Sequence, residues 1–306
     1  MLCAPVIAHH RADTKKPVPT DHPTAFVTRF APSPTGRLHL GHAYSALVAY
    51  EAARAAGGRF LLRIEDIDTG RSRAAFVDAI FTDLAWLGLR WETPVRHQSR
   101  HFADYRAALD RLDALGLIYP CFCTRKDIEA EIARAPSAPH GPDGVLYPGT
   151  CRSLAAAERA RRIAAGAAFA LRLDTGRAIT HLMADGRWPL TWRDDRFGVE
   201  TANPQSLGDV VLARKDTPTS YHLAVTVDDS AQGISHVIRG QDLHHATHIH
   251  RLLQALLALP TPRYHHHALI TGPDGKRFAK RDRSATLAAL REAGASPHEV
   301  RARLGI

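Results

Sequence analysis

Residues 29–42 read RFAPSPTGRLHLGH. The apolar pair Phe26-Val27 precedes this stretch, and Leu47, Val48 and Tyr50 follow it at helical spacing among alanines. A buried strand does not hold two prolines, two glycines and two histidines, so the chain leaves a strand, turns, and enters a helix here. Outward from this passage, 24–30 reads as a strand and 41–56 as a helix stopped by Gly57-Gly58. Segment 59–65, RFLLRIE, is a second strand with an apolar centre, as a parallel sheet covered on both faces requires. Residues 72–87 and 100–115 read as helices ending at Gly88 and Gly116. Alternating strand and helix predicts an α/β fold with a doubly wound parallel sheet.

Near Tyr119 the texture changes. Cysteines appear, then APSAPHGPDGVLYPGT, then a basic alanine-rich helix near 153–165. Strand-like pieces follow at 168–174, 178–184, 197–202 and 209–215. Residues 219–229 read as helical or extended, 235–240 as a strand, 243–259 as a helix and 264–270 as a strand. The expected organisation is a loose tail over 1–23, a first half of the sheet domain over 24–118 and an insertion over 119–214. A second half follows over 215–290, with a short helical tail over 291–306.

Of the 306 residues, 45% are apolar, ordinary for a globular chain. No apolar run reaches the ~18 residues that span a bilayer, and the first residues lack a secretory apolar core, so a cytoplasmic, non-membrane location is expected. Lys and Arg number 40 against 31 Asp and Glu, a net charge of +9, which draws polyanions without choosing one. Four cysteines in a chain with no export signal point to metal rather than disulfides.

Open α/β sheets bind ligands at the carboxyl ends of their strands, and a helix N-terminus there favours phosphate. His39 and His42 share one face, and Gly41 allows close approach. The plain alternative is a Pro/Gly loop with incidental histidines; a metal pair lacks a carboxylate ligand in this stretch. RIEDID, 63–68, sets Glu65, Asp66 and Asp68 at a strand end, either as a solvated edge or to hold an ammonium or metal. GPDGKRFAKRD, 272–282, loads a turn-rich loop with Lys276, Arg277, Lys280 and Arg281, suited to a triphosphate or simply to water.

Taken together, HLGH at 39–42 resembles the HIGH signature of class I aminoacyl-tRNA synthetases, and RFAKR at 277–281 resembles their KMSKS loop. RFAPSPTG, RIEDID, YHLAVTVDD at 221–229 and IRGQDL at 238–243 resemble the glutamyl branch. Ala279 departs from the usual Ser. The resemblance implies a Rossmann-like catalytic domain that joins L-glutamate to ATP. It implies that Arg29, Phe30, Ala31, Pro32 and Ser33 line the amino-acid pocket, Arg29 pairing a carboxylate. It gives Glu65 the ammonium, and Tyr221 and Arg239 the rest of the glutamate pocket. ATP falls to His39, Gly41, His42, Arg277 and Lys280, with Mg²⁺ accompanying it. His39, His42 and Lys280 carry catalysis by positioning and charge.

Cys121, Cys123 and Cys151 supply three thiolates, while structural zinc prefers four ligands. A short subfamily of the glutamyl branch implies Tyr147 as the fourth; His140 is a rival, and three reduced cysteines without metal are the plain alternative. The histidines in 244–250 and 265–267 read mostly as surface or core residues. The chain stops at Ile306, soon after the cationic loop, with no room for an anticodon-binding domain. This again resembles that short subfamily, which activates glutamate without tRNA and transfers it to the queuosine base of tRNA(Asp). The insertion would then cradle the anticodon stem-loop, with Arg152 to Arg162 against phosphates, and a monomer is expected. A truncated enzyme charging a tRNA 3′ end, or a non-catalytic regulator, stays open as an alternative.

Overall fold

A computed structural model describes residues 25–134, 140–141, 144–270 and 286–306. The 1–23 tail and the cationic loop with Arg277, Ala279 and Lys280 therefore lie outside the described residues. The opening passage folds as its sequence dictates: β1 (Val27–Phe30), then the Pro/Gly loop, then α1 (Leu40–Ala55) and β2 (Arg59–Ile64). Gly57 takes a left-handed φ of 58° to end α1. At Gly58 a Cβ would fall 2.2 Å from the Phe26 carbonyl oxygen, so only glycine lets the chain turn back beside β1. Next come α2 (Ala74–Trp86), β3 (Arg96–His97), α3 (Phe102–Ala114), β4 (Ile118–Cys121), α4 (Arg125–Arg134) and the ribbon β5 (His140–Gly141)–β6 (Gly144–Val145). Then follow α5 (Ala156–Ala164), β7 (Ala170–Leu173), α6 (Thr175–Ala184), β8 (Thr191–Asp194), β9 (Gly198–Thr201) and β10 (Val211–Ala213). The chain closes with α7 (Tyr221–Ala231), β11 (His236–Gly240), α8 (Ala246–Leu256), β12 (Arg263–His267), α9 (Leu287–Glu292) and α10 (Pro297–Arg303).

Strands β1, β2 and β3 pair in parallel, as do β11, β12 and β8, with β9 antiparallel at the edge. The two sets abut where the Ser235 N–H donates to the Val27 carbonyl at 3.0 Å and Ser235 Oγ accepts from the Val27 N–H at 2.8 Å. Alternate side chains serve two faces. Val27, Leu61 and Val237 join the core beneath α3, α7 and α8, while Phe30, Leu62 and Ile238 join the one containing Ala46, Leu47, Ile80, Leu287 and Val300. The expected doubly wound core is therefore present. Strands β10, β7 and β4 form a separate antiparallel sheet in the 119–214 segment.

Three local expectations need correction. Residues 178–184, read as strand-like, lie in α6: Asp174 caps its N-terminus through the Arg177 N–H at 2.9 Å, and Ala178, Ile179 and Leu182 are buried at helical spacing. Residues 243–259 begin in a 3₁₀ turn, Gln241–Leu243, before α8 starts. Strand β8 was not expected, because its inward residues are Trp192 and the charged Asp194, a pattern that hides a buried edge. Its hairpin with β9 pairs with β12 although it falls within 119–214. No helix among the described residues is long and apolar enough to cross a membrane.

Candidate active site

A cavity of about 630 Å³ opens at the carboxyl ends of β1, β2, β11 and β12. Arg29, Phe30, Ala31, Pro32, Ser33, His39, Gly41, His42, Glu65, Tyr221 and Arg239 all line it, so the structure gathers every expected pocket residue that it describes. The Pro32 carbonyl accepts from the Glu65 N–H at 3.0 Å, which ties the Pro/Gly loop to the end of β2. His39 caps α1: its Nδ1 accepts from the Gly41 N–H at 3.1 Å, and His42 Nδ1 accepts from the His39 N–H at 3.3 Å. A nitrogen that accepts holds no proton, so a neutral ring at either position carries its proton on Nε2. The two rings lie close and tilted, centroids 3.8 Å apart and planes 34° apart. Two Nε2–H donors beside a helix N-terminus are chemistry that suits an anion.

Beneath the cavity lies a buried ionic network that the sequence reading missed. Arg29 grips Asp229 with Nε and Nη2 at 2.9 and 3.3 Å. Arg63, wholly buried in β2, reaches Asp229 at 2.7 Å and Glu65 at 3.1 Å. Arg96 bonds Asp228 at 2.7 Å, and Gln98 and Tyr105 donate to the other oxygen of Asp228. Burial opposes the charge on Asp229, but Arg29 and Arg63 outweigh it and hold the carboxyl below its ordinary range. At Glu65 burial prevails over Arg63 and Arg29, and the carboxyl lies above its ordinary range. The sequence carries only a hint of it: a charge interrupts the apolar run of β2 at Arg63, and Asp229 falls two turns beyond Tyr221 in α7, but nothing local joins the two. Of the three RIEDID acids only Glu65 faces the cavity; Asp66 accepts from the Ser99 N–H and hydroxyl, and Asp68 pairs with Arg71.

Arg239 differs from Arg29. It is buried, yet among the described residues it has no carboxylate partner. Its nitrogens meet only neutral acceptors: Tyr221 Oη at 3.2 Å, His266 Nε2 at 3.0 Å, His250 Nδ1 at 3.4 Å, Thr247 Oγ1 at 2.7 Å and Leu243 O at 3.1 Å. A buried cation in want of an anion is costly unless a ligand brings one. His267, from the run read as incidental, also lines the cavity and bonds Ser45 at 3.0 Å. The ends of the cationic loop flank the site: Ile270 lines the cavity, and Thr286 bridges to His39.

The cysteines form a second centre, away from the cavity. Cys123 Sγ lies 3.5 Å from Cys151 Sγ, and Tyr147 Oη lies 3.4 Å from Cys121 Sγ and 3.7 Å from Cys123 Sγ. A tetrahedral zinc with ordinary bond lengths sets its sulfurs roughly 3.8 Å apart and its S···O edges at roughly 3.5 Å. These three separations match edges of such a tetrahedron, and the three thiol sulfurs all lie within 4.8 Å of one another. Arg172 lies over the Tyr147 ring, 3.9 Å from its centroid, while burial pushes the phenol above its ordinary value, so a bound cation would be what makes it a phenolate. The side chain of His140, the rival ligand, lies outside the described part of the structure. In α5, Arg161 and Arg162 both pair with Glu158, at 2.8 and 2.6 Å, so their charge is partly met within the helix.

Residues 25–305 match the family described as tRNA synthetases class I (E and Q), catalytic domain. The chain is 50% identical over 282 residues to the glutamyl-Q tRNA(Asp) synthetase of Rhodobacter capsulatus, covering 92% of this chain and 100% of that protein. It is 45% identical over 276 residues to the glutamyl-Q tRNA(Asp) synthetase of Nocardia farcinica, covering 90% and 82%. Among solved structures it is similar to glutamate-tRNA synthetase from Elizabethkingia anophelis, with a TM-score of 0.70 and 28% identity. That match covers 84% of this chain and 53% of the other, so this chain spans about half the length of that enzyme. A site built from the strand–loop–helix passage of one half and the Tyr221–Arg239 pair of the other thus has its counterpart in sequence over nearly the whole chain, and the protein belongs to the glutamyl-Q tRNA(Asp) synthetase family of class I synthetases.

Proposed function

We propose that the protein activates L-glutamate with ATP in the absence of RNA and then transfers glutamate to the queuosine base in the anticodon loop of tRNA(Asp). The observation that carries the choice of substrate is Arg239, a buried guanidinium without a carboxylate among the described residues, bonded to Tyr221 on the cavity wall. A side-chain carboxylate supplies the missing anion, with Arg29 and Tyr221 beside it. Glu65, across the same cavity, holds the ammonium. An amino acid with an acidic side chain answers both demands.

The substrate α-carboxylate oxygen then attacks the α-phosphorus of ATP. The bond from that phosphorus to the bridging oxygen breaks, and pyrophosphate leaves. No protein nucleophile takes part, so rate comes from placement and charge. His39 and His42 donate Nε2–H to phosphate oxygens, and Gly41 leaves room at the helix N-terminus. Arg277 and Lys280 take the leaving pyrophosphate, as the KMSKS resemblance implies. Mg²⁺ enters with ATP. Cys121, Cys123, Tyr147 and Cys151 would hold one zinc, whose part is structural: it ties β4 to the segment before α5. In the second step the acceptor attacks the adenylate carbonyl, and AMP leaves.

The test is ATP–pyrophosphate exchange with purified protein and glutamate, followed by mapping of labelled glutamate on tRNA. Exchange without RNA and label in the anticodon loop of queuosine-containing tRNA(Asp) are expected. Exchange only with tRNA(Glu), or label on the 3′-terminal adenosine, would replace this reading with a 3′-charging enzyme. No exchange under either condition would favour a regulator.

A further inference from the structure

Arg239 lacks an anion, yet its fork is held in one orientation from behind. Its Nε–H donates to His266 Nε2 at 3.0 Å, and His266 Nδ1 lies 2.5 Å from Asp194 Oδ2. Both side chains are fully buried. Asp194 is itself fixed, because its Oδ1 accepts from the backbone N–H groups of Arg196 and Phe197 at 2.9 and 3.1 Å. The directions follow from donors and acceptors. A guanidinium only donates, so His266 Nε2 is the bare nitrogen, and the ring proton sits on Nδ1, where Asp194 accepts it.

We propose that the Asp194–His266 pair is a positioning and specificity device for Arg239: it fixes the guanidinium through a neutral acceptor and leaves its positive charge for the side chain of the bound amino acid. The proposal rests on the reading of Arg239 as the seat of the substrate carboxylate. A carboxylate placed directly on Arg239 would orient it equally well but would satisfy its charge, as Asp229 does for Arg29. Setting the anion one imidazole ring away keeps the alignment and weakens the neutralisation.

The surroundings keep His266 neutral. Burial comes first and Arg239 second; together they outweigh Asp194 and hold the ring down to about 3. His244 faces it edge-on at 4.9 Å, Tyr264 stacks at 5.8 Å, and Thr247 Oγ1 lies 3.3 Å from Nε2. His250, on the Nη1 side of Arg239, is also held well below its ordinary value by burial and by Arg239. Asp194, His244 and His266 also place donor atoms within 4.8 Å of one another, and His244 Nε2 has no hydrogen-bond partner. A divalent ion there would have to displace the proton on His266 Nδ1 and face the guanidinium of Arg239, which favours the proton over the metal.

Asp194→Asn offers an amide donor to His266 Nδ1. The ring proton then moves to Nε2, where it meets the Nε–H of Arg239 head-on; a carboxylate-to-amide change behind a histidine has this tautomer effect in serine proteases. Glutamate-dependent exchange should show a rise in KM for glutamate of roughly 10- to 100-fold, an unchanged KM for ATP, and reduced preference for glutamate over glutamine. In His266→Gln, with Asp194 kept, the new carbonyl accepts from Arg239 and its amide donates to Asp194, so both hydrogen bonds keep their directions. That variant should keep most of the wild-type glutamate KM, whereas His266→Leu, which offers Arg239 no acceptor, should lose it, a contrast that a merely structural role would not produce. If Asp194→Asn fails to fold, the two His266 variants carry the test alone.

Unchanged KM and selectivity in Asp194→Asn, parallel loss for ATP, or equal loss in His266→Gln and His266→Leu would overturn the proposal. So would a zinc equivalent in a Cys121→Ser/Cys151→Ser background that disappears with Asp194→Asn. Wild-type protein that activates no glutamate would instead overturn the substrate reading itself, so the two failures are separable.

Discussion

At Glu65 two physical effects oppose each other, and burial prevails. The carboxyl lies above its ordinary range despite Arg63 and Arg29. Its proposed task requires the ionised form, since only a carboxylate offers the ammonium a full charge. As pH falls into that raised range the ionised fraction falls, and glutamate binding weakens with it. The KM for glutamate should therefore climb on the acid side while the KM for ATP follows a different profile. Glu65→Gln should remove that dependence and cost about 2 kcal/mol, or roughly thirtyfold in KM, the usual value of a hydrogen bond to a charged group. A KM that is flat with pH in the wild type would contradict the assignment. The same scale shows what sequence reading can and cannot reach. His39, Gly41, His42 and Glu65 were legible because each sits in a short motif that repeats its own geometry. Arg63 was not, because its partner Asp229 lies 166 residues away and only the fold joins them. Asp194 and His266 are 72 residues apart and were equally invisible, one in an unexpected strand and the other in a run of histidines.

Among elements, β1, α1 and β2 could be read almost to their ends because the apolar pattern and Gly57-Gly58 agree. Helix α6 passes for a strand because the strand piece AFALRLD runs straight into it and its Asp174 cap lies outside the stretch 178–184. The cysteine cluster shows how much an element can draw on three short signals: Cys-x-Cys after β4, then Tyr147, then Cys151. None of these residues lines the cavity, so metal and activation should separate. Purified protein is expected to hold one zinc per chain. Cys121→Ser should lose it, and Tyr147→Phe should weaken it by more than the roughly 10–100-fold that loss of an outer partner costs. In both, pyrophosphate exchange should survive while transfer to tRNA falls, because β4 and α5 lose their tie. Zinc that remains bound in Cys121→Ser, or exchange that falls in step with transfer, would count against a separate structural centre.

At the scale of the whole molecule, the unusual store of buried histidine makes stability depend on pH. Burial, helped by neighbouring cations and histidines, holds His248 down to about 4, His266 to about 3 and His250 well below its ordinary value. The sign is fixed by which state binds more protons. Below pH ~6.5 the unfolded chain protonates these rings while the folded chain does not, so folding loses stability as pH falls. Each ring contributes a slope of up to about 1.4 kcal/mol per pH unit until its folded value is reached. Asp229, held below its ordinary range by Arg29 and Arg63, adds its own loss only lower, as pH drops through the ordinary carboxylate value and below. Glu65 and Asp83, raised by burial, act in the opposite sense and temper the slope near its acid end. Urea midpoints measured from pH 7.5 down to 4.5 should therefore fall, beginning near 6.5 rather than near 4, and His266→Gln should shallow the fall because that position no longer takes up a proton on unfolding. A midpoint that holds steady to pH 5, or a fall of equal slope in His266→Gln, would mean that these rings are protonated in the folded protein. Arg239 would then face a cation where the structure gives it an acceptor.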